Sequence, residues 1–219
     1  MNYQNLKRNS LNGLNNPNWI FINTGVHDGS FNMFYDEFLL SSFINGFNKS
    51  PILRVYGWSK EIISLGKNQV LSNNDKSNNS FVKRITGGQA VFHQRPEDEL
   101  TYSLCLPFAS KLSKLYFEIG QILIFLLGKY GLNAKIGYLN KNYLTNFNCF
   151  NSQTPADIVV GDVKVIGSAQ CRRKNHVLQH GSIKLGIIKK LSGKGLTFDQ
   201  CAMDLKQSFQ EKLKINFIE

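Results

Sequence analysis

Residues 83–94 read KRITGGQAVFHQ: a basic pair, a polar step, two adjacent glycines and a short apolar run. The flanking pieces, "FVKRI" (81–85) and "QAVFHQ" (89–94), have the composition of strands. Two glycines in such a place admit two readings. They make a tight turn or bulge, where positive φ is cheap for glycine. Alternatively they leave the backbone bare, so that a ligand can lie against the sheet with Arg84 nearby as a partner for negative charge.

Working outward, "NWIFINTG" (18–25), "PILRVYGW" (51–58), "IISLGKNQ" (62–69) and "ELTYSLCLP" (99–107) read as strands. "ADIVVGDVKVIGSAQCRR" (156–173) reads as a hairpin turning at Gly161-Asp162, and "HVLQHGSIKL" (176–185) as a further strand. "SFNMFYDEFLLSSFING" (30–46) reads as a helix. Met33, Phe34, Phe38, Leu39 and Phe43 carry its apolar spacing, and Ser30 is the expected N-cap. A second helix is expected over 111–130 and a third over 197–213, the latter spaced at Phe198, Ala202, Leu205, Phe209 and Leu213. Residues 1–16 read as loose, and the polar run 71–80 as a surface loop. With no internal repeat and no linker, strands outnumbering helices predict a single α+β domain over 1–219, with a mixed β-sheet flanked by helices.

The chain has 219 residues, enough for one sizeable core, and 42% of them are hydrophobic. Its most apolar stretch, 115–132, contains Glu118 and Gln121 and is too short to span a bilayer, so it reads as a buried helix and no membrane association is expected. The four cysteines form no CxxC pair, and His27, His93 and His176 share no metal spacing. Reduced thiols in a cytoplasmic protein without a metal site are the expectation. A net charge of +11 suits an acidic partner. No aromatic-basic motif or zinc-finger spacing directs that charge to nucleic acid.

Three further residues have two readings each. Cys149 lies in the polar stretch "TNFNCFNSQTP", where a thiol is accessible as a nucleophile or is simply a loop cysteine. Lys164, between Val163 and Val165, faces solvent or faces a ligand whose oxyanion it stabilises. His180 in "LQHGSI" is a core histidine or a site residue.

Together four segments resemble the biotin/lipoate A/B protein ligase family. They are Asn32-Met33 with Asp36-Glu37, "LRVYGWSKEIISLGKNQ", "KRITGGQAVFHQ", and "VKVIGSAQCRRKNHVLQHGSI", in order from about residue 18 to 185. The resemblance implies that family's catalytic fold. It also implies a substrate site built from Arg84, Thr86, Gly87, Gly88, Ala90, His93, Gly167, Ser168, Ala169, Gln170 and His180, with Lys164 aimed at an acyl carbonyl. Gln94 stands where the family usually has aspartate.

The family divides into ATP-dependent lipoate–protein ligases and octanoyltransferases that work through a cysteine thioester. "ELTYS" (99–103) and Cys149-Phe150, fifteen residues ahead of Lys164, are similar to the octanoyltransferases. So is a chain without room for a separate C-terminal accessory domain. The resemblance then implies catalytic Cys149 and Lys164 and no cofactor. The implied partners are acyl carrier protein and a lipoyl-domain protein, such as glycine cleavage H protein or a dehydrogenase E2 subunit, and a monomer is expected. The alternatives are a ligase needing ATP and Mg²⁺, an amidotransferase between carrier domains, and a non-catalytic binding module.

Overall fold

The computed structural model describes residues 14–70, 80–108, 110–138 and 147–218. A long first strand, β1 (Asn18–His27), leads into α1 (Gly29–Ile44) and returns parallel to itself as β2 (Ile52–Trp58). The short β3 (Ile62–Leu65), β4 (Phe81–Lys83) and β5 (Val91–His93) follow, then β6 (Leu100–Pro107) and α2 (Leu112–Lys129). After β7 (Ala134–Ile136) come β8 (Ile158–Val160), β9 (Val163–Arg173) and β10 (His176–Ile183). The chain closes with α3 (Leu185–Ser192), α4 (Phe198–Leu213) and β11 (Asn216–Ile218).

Eight of these strands form one mixed sheet, ordered β11-β1-β2-β6-β10-β9-β8-β7, in keeping with the expected α+β fold. β3, β4 and β5 form a separate three-stranded sheet, with β3 central. The strand pieces on either side of the glycines therefore do not pair with each other. Both pair with β3, β4 in parallel and β5 antiparallel.

Strand alternation sends side chains to opposite faces, and the two faces of the large sheet differ in chemistry. Leu53, Val55, Leu100, Tyr102, Leu104, Leu106, Val177 and Ile183 point to one side. There they bury with Leu115, Ile119, Ile122, Leu123 and Leu126 of α2 and Cys201, Ala202, Leu205 and Phe209 of α4. Each such aliphatic or aromatic side chain contributes about 1.5–3 kcal/mol on burial. Both helices lie where their periodicity predicts, and Thr197 caps α4 by accepting from the Gln200 N–H at 3.1 Å.

The opposite face carries Arg54, Tyr56, Trp58, Thr101, Ser103, His180 and Ser182, all buried. α1 covers part of this polar face, which corrects the expected reading of the helix. Met33, Leu39 and Phe43 are buried, but Phe34 and Phe38 are 68% and 52% exposed. Asn32 and Asp36 face the sheet instead, where Gly57, Arg54 and Tyr56 hydrogen-bond them. Ser30 is not the N-cap either. Asp28 is, its Oδ1 accepting from the Ser30 and Phe31 N–H groups at 2.8 and 3.0 Å.

The strand expected over 62–69 stops at Leu65, and α3, β7 and β11 were not anticipated. The expected loose segment falls mostly, and the expected polar loop almost wholly, outside the described residues. Among the described residues no helix is long and apolar enough to cross a membrane.

Candidate active site

The turn of the β8–β9 hairpin lies at Gly161-Asp162, and a register shift between Ile158 and Val159 re-aims the neighbouring strand. Lys164 is buried instead of facing solvent. Its ammonium lies 3.0 Å from Asp157 Oδ2, 2.8 Å from the Cys149 carbonyl, 3.3 Å from the Ser152 carbonyl and 3.2 Å from Cys149 Sγ. A buried cation requires such partners, because an unpaired one would cost several kcal/mol.

Asp157, which sequence reasoning did not select, anchors this arrangement. Its Oδ2 accepts from the Thr154 N–H at 2.7 Å and the Thr154 hydroxyl at 3.0 Å. Burial raises its carboxyl above the usual value, with the ammonium of Lys164 pulling the other way.

Cys149 opens a single 3-10 turn, Cys149–Asn151, capped by Asn148, whose Oδ1 accepts from the Phe150 N–H at 2.9 Å. The turn hangs on the strand after the glycines. The Cys149 N–H donates to the Ala90 carbonyl at 2.8 Å, and the Ala90 N–H donates to the Phe147 carbonyl at 3.0 Å. Ala90 is thus fully buried and holds the cysteine-bearing segment. Gly167 makes room for the lysine. A Cβ there would lie 3.0 Å from Lys164 Cε and 3.4 Å from both Nζ and the Phe150 ring.

Beside this pair lies a partly open cavity. Cys149, Asp157, Thr154 and Gly88 lie in its wall, as do Gly167, Ser168 and Ala169 of β9. His180, Gly181 and Ser182 of β10 line it too, with Ser64, Arg84 and His93 and with Met33, Tyr56 and Trp58. A partly open, largely apolar hollow with Cys149 in its wall suits an acyl chain with its carbonyl at the sulfur.

Both readings of the glycines fall on Gly88, which lies in the cavity wall where Gly87 does not. Gly88 has φ +91°, the left-handed turn conformation. Its carbonyl oxygen also approaches another part of the chain, since a Cβ on Gly66 would be only 1.9 Å from it. Gly87 has open space where a Cβ would go. Arg84 is spent on shaping the loop. It donates to the carbonyls of Ser64 (2.6 Å), Gly87 (3.0 Å) and Gln89 (2.6 Å).

Two hydroxyl–imidazole–carboxylate chains cross the polar face. In one, Thr86 Oγ1 lies 2.7 Å from His180 Nε2, and His180 Nδ1 lies 2.9 Å from Asp36 Oδ2. Asp36 also accepts from Arg54 at 2.8 Å and from Tyr56 at 3.0 Å. Burial opposes ionisation of Asp36, but His180 and Arg54 outweigh it and lower the pKa. In the other, Ser64, His93 and Glu99 align, with Lys184 on the second oxygen of Glu99. Gln170 stands apart from the cavity wall, donating to Gln179 at 2.6 Å in a network with Tyr102 and Ser168.

Residues 28–207 match the family model described as the lipoyl protein ligase A/B catalytic domain. Among curated relatives, Octanoyltransferase LipM of Clostridioides difficile is 35% identical over 181 residues, covering 76% of this chain and 65% of that protein. Octanoyltransferase LipM of Carboxydothermus hydrogenoformans is 36% identical over 176 residues, covering 75% of this chain and 64% of that protein. The chain thus spans just under two thirds of the length of these relatives. A crystal structure of lipoate-protein ligase A bound with ATP superposes with a TM-score of 0.72 over 92% of this chain and 88% of that one. At 21% identity this likeness shows the shared fold. With the family model matched across the site and both layers of the sheet, the chain belongs to the lipoyl protein ligase A/B catalytic domain family.

Proposed function

We propose that this protein is an octanoyltransferase that moves an octanoyl group from acyl carrier protein, through a thioester on Cys149, to a lysine of a lipoyl-domain protein. The observation that carries this reading is the Lys164 ammonium 3.2 Å from Cys149 Sγ, with Cys149 in the wall of a largely apolar cavity. The names of the relatives that match over most of the chain support it.

In this reading the Cys149 thiolate attacks the donor thioester carbonyl. The S–C bond to the carrier breaks, and the pantetheine thiolate leaves and takes up a proton. The Lys164 ammonium, held in place by Asp157, stabilises the negative charge of the attacking sulfur and of the tetrahedral oxyanion. The acceptor amine, giving its proton to the imidazole of His180, then attacks the acyl-enzyme, forming the amide and releasing the Cys149 thiolate. The acyl chain lies against Gly87-Gly88 and β9. No ATP, Mg²⁺ or other cofactor enters. The surplus of 26 Lys and Arg over 15 Asp and Glu steers an acidic carrier and an acidic lipoyl domain, glycine cleavage H protein or a dehydrogenase E2 subunit, to a monomeric cytoplasmic enzyme.

The test is intact mass spectrometry after mixing with octanoyl carrier protein without ATP. One octanoyl increment is expected on the wild-type chain and none on Cys149→Ala. Lys164→Ala is expected to slow its formation by about a hundredfold or more. A Cys149→Ala protein that still octanoylates a lipoyl domain, or activity that demands free octanoate with ATP and Mg²⁺, overturns the transferase reading in favour of a ligase.

A further inference from the structure

The second hydroxyl–imidazole–carboxylate chain has the connectivity of a serine hydrolase. Ser64 Oγ lies 2.7 Å from His93 Nε2, and His93 Nδ1 lies 2.6 Å from Glu99 Oε1. With Glu99 ionised, Nδ1 carries the proton and donates to the carboxylate, and Nε2 is left to accept from the Ser64 hydroxyl. Glu99 is itself held. Its Oε2 accepts from the Gln94 N–H at 3.0 Å and pairs with the Lys184 ammonium, and Thr101 donates to Oε1 at 3.3 Å. Burial opposes ionisation of Glu99, yet Lys184 and His93 outweigh it and lower the pKa. The His93 ring is fixed by stacking on Trp58 at 3.8 Å between centroids. Burial depresses its pKa to about 4, so it is a neutral base at physiological pH. Arg84 Nη1 lies 3.1 Å from Ser64 Oγ and also donates to the Ser64 carbonyl at 2.6 Å, so the guanidinium that shapes the loop also fixes the position of the hydroxyl oxygen.

Access separates this chain from its neighbour. Ser64 and His93 both lie in the wall of the cavity that holds Cys149. The Thr86–His180–Asp36 chain contributes only its imidazole to that wall. Around Ser64 and His93 the cavity is bounded by Met33, Tyr56 and Trp58, side chains against which a short acyl group can pack.

We propose that Ser64, His93 and Glu99 form a second nucleophilic site in this cavity, which hydrolyses short-chain acyl esters independently of Cys149. The Ser64 oxygen attacks the ester carbonyl, and its proton passes to His93 Nε2. Collapse of the tetrahedral species breaks the carbon–alkoxide bond, and His93 returns the proton to the departing alcohol. Water then attacks the acyl-serine, giving a proton to His93. The Oγ–carbon bond breaks, Ser64 regains its proton, and the carboxylic acid leaves. The sum is ester plus water to acid plus alcohol.

The experiment uses Cys149→Ala, so that no thiol at the first site contributes and failure of the transferase reading leaves this test unaffected. 4-Nitrophenyl butanoate measures turnover, and an alkyl fluorophosphonate traps the nucleophile for peptide mapping. The expected results are a fluorophosphonate adduct on Ser64 and a loss of turnover of about a hundredfold or more on adding Ser64→Ala. Turnover should also fall as the pH drops through the range in which His93 becomes protonated. Absence of the adduct, an adduct elsewhere, or undiminished turnover in a folded Ser64→Ala protein overturns the proposal. Should Ser64→Ala not fold, mapping of the adduct on the folded Cys149→Ala chain decides alone.

Discussion

Gly167→Ala tests how tightly the cysteine–lysine pair is positioned. Gly167 lies in β9, and the added methyl would sit 3.0 Å from Lys164 Cε, while ordinary contact begins at 3.4 Å. The difference is a displacement of about 0.4 Å. The lysine has nowhere easy to go. Asp157 and the carbonyls of Cys149 and Ser152 hold its head, and the Phe150 ring lies 4.9 Å from the ammonium. The strain is therefore taken up at the 3.2 Å separation of Nζ from Sγ. A misplacement of 1 Å in a catalytic group costs about a hundredfold in rate, so 0.4 Å corresponds to about tenfold. The assay is single-turnover formation of the acyl-enzyme from octanoyl carrier protein, followed by intact mass. Thermal melts on the same preparations should move little, since overpacking by one carbon costs about 1 kcal/mol where the neighbour can shift. Full-rate acylation by Gly167→Ala would refute the claim that the lysine's position matters to the thiol. A rate loss that merely follows a large loss of melting temperature would refute the claim that the effect is local.

The adjacent glycines should separate. Gly88→Ala, at φ +91° and in the cavity wall, should cost about 1 kcal/mol or more of stability and slow octanoyl uptake, whereas Gly87→Ala meets open space outside that wall and should leave the melt unchanged with a smaller effect on uptake; equal effects of the two on stability and uptake would sink this distinction. Acidification should destabilise the fold ahead of carboxylate protonation. His93 is lowered from 6.5 to about 4, so its contribution is complete above pH 6.5 and is lost as the pH falls toward 4. That amounts to about 3 kcal/mol, read as a falling urea midpoint between pH 7 and pH 4, and a flat profile over that range would contradict it.

Much of the fold is legible because period-2 and period-3.6 patterns survive wherever an element buries an apolar face. The helices over 112–129 and 198–213 and the hairpin at Gly161-Asp162 are of this kind. α1 misleads for a physical reason. It lies over a polar surface, so Asn32 and Asp36 face inward, and Phe34 and Phe38, which complete the apolar spacing, face solvent. The local sequence leaves Cys149 and Lys164 two readings each, the resemblance implies the catalytic one, and their contact appears only once the turn at 149–151 is hung from Ala90. Asp157 escaped notice because a carboxylate just before a hairpin looks like a solvated residue. The available signals were polar residues inside apolar runs: Arg54 in "LRVYGW" and Ser64 in "IISL", each buried in its strand.

The two-faced sheet also bears on how the chain must fold. Along β10, Leu178, His180 and Ser182 face the site side, and Val177 and Ile183 face the apolar layer. If β10 docked one residue out of step with β6 during folding, His180 and Ser182 would be thrust among leucines and Ile183 into the cavity. Such a chain could not settle into a slightly impaired enzyme. Its misplaced imidazole would be a buried polar group without partners, and the trapped form would be discarded along with its chemistry. Kinetic sorting between correct and slipped pairings thereby acts through the reactive side chains themselves, and quality control of the nascent sheet and assembly of the site become a single event.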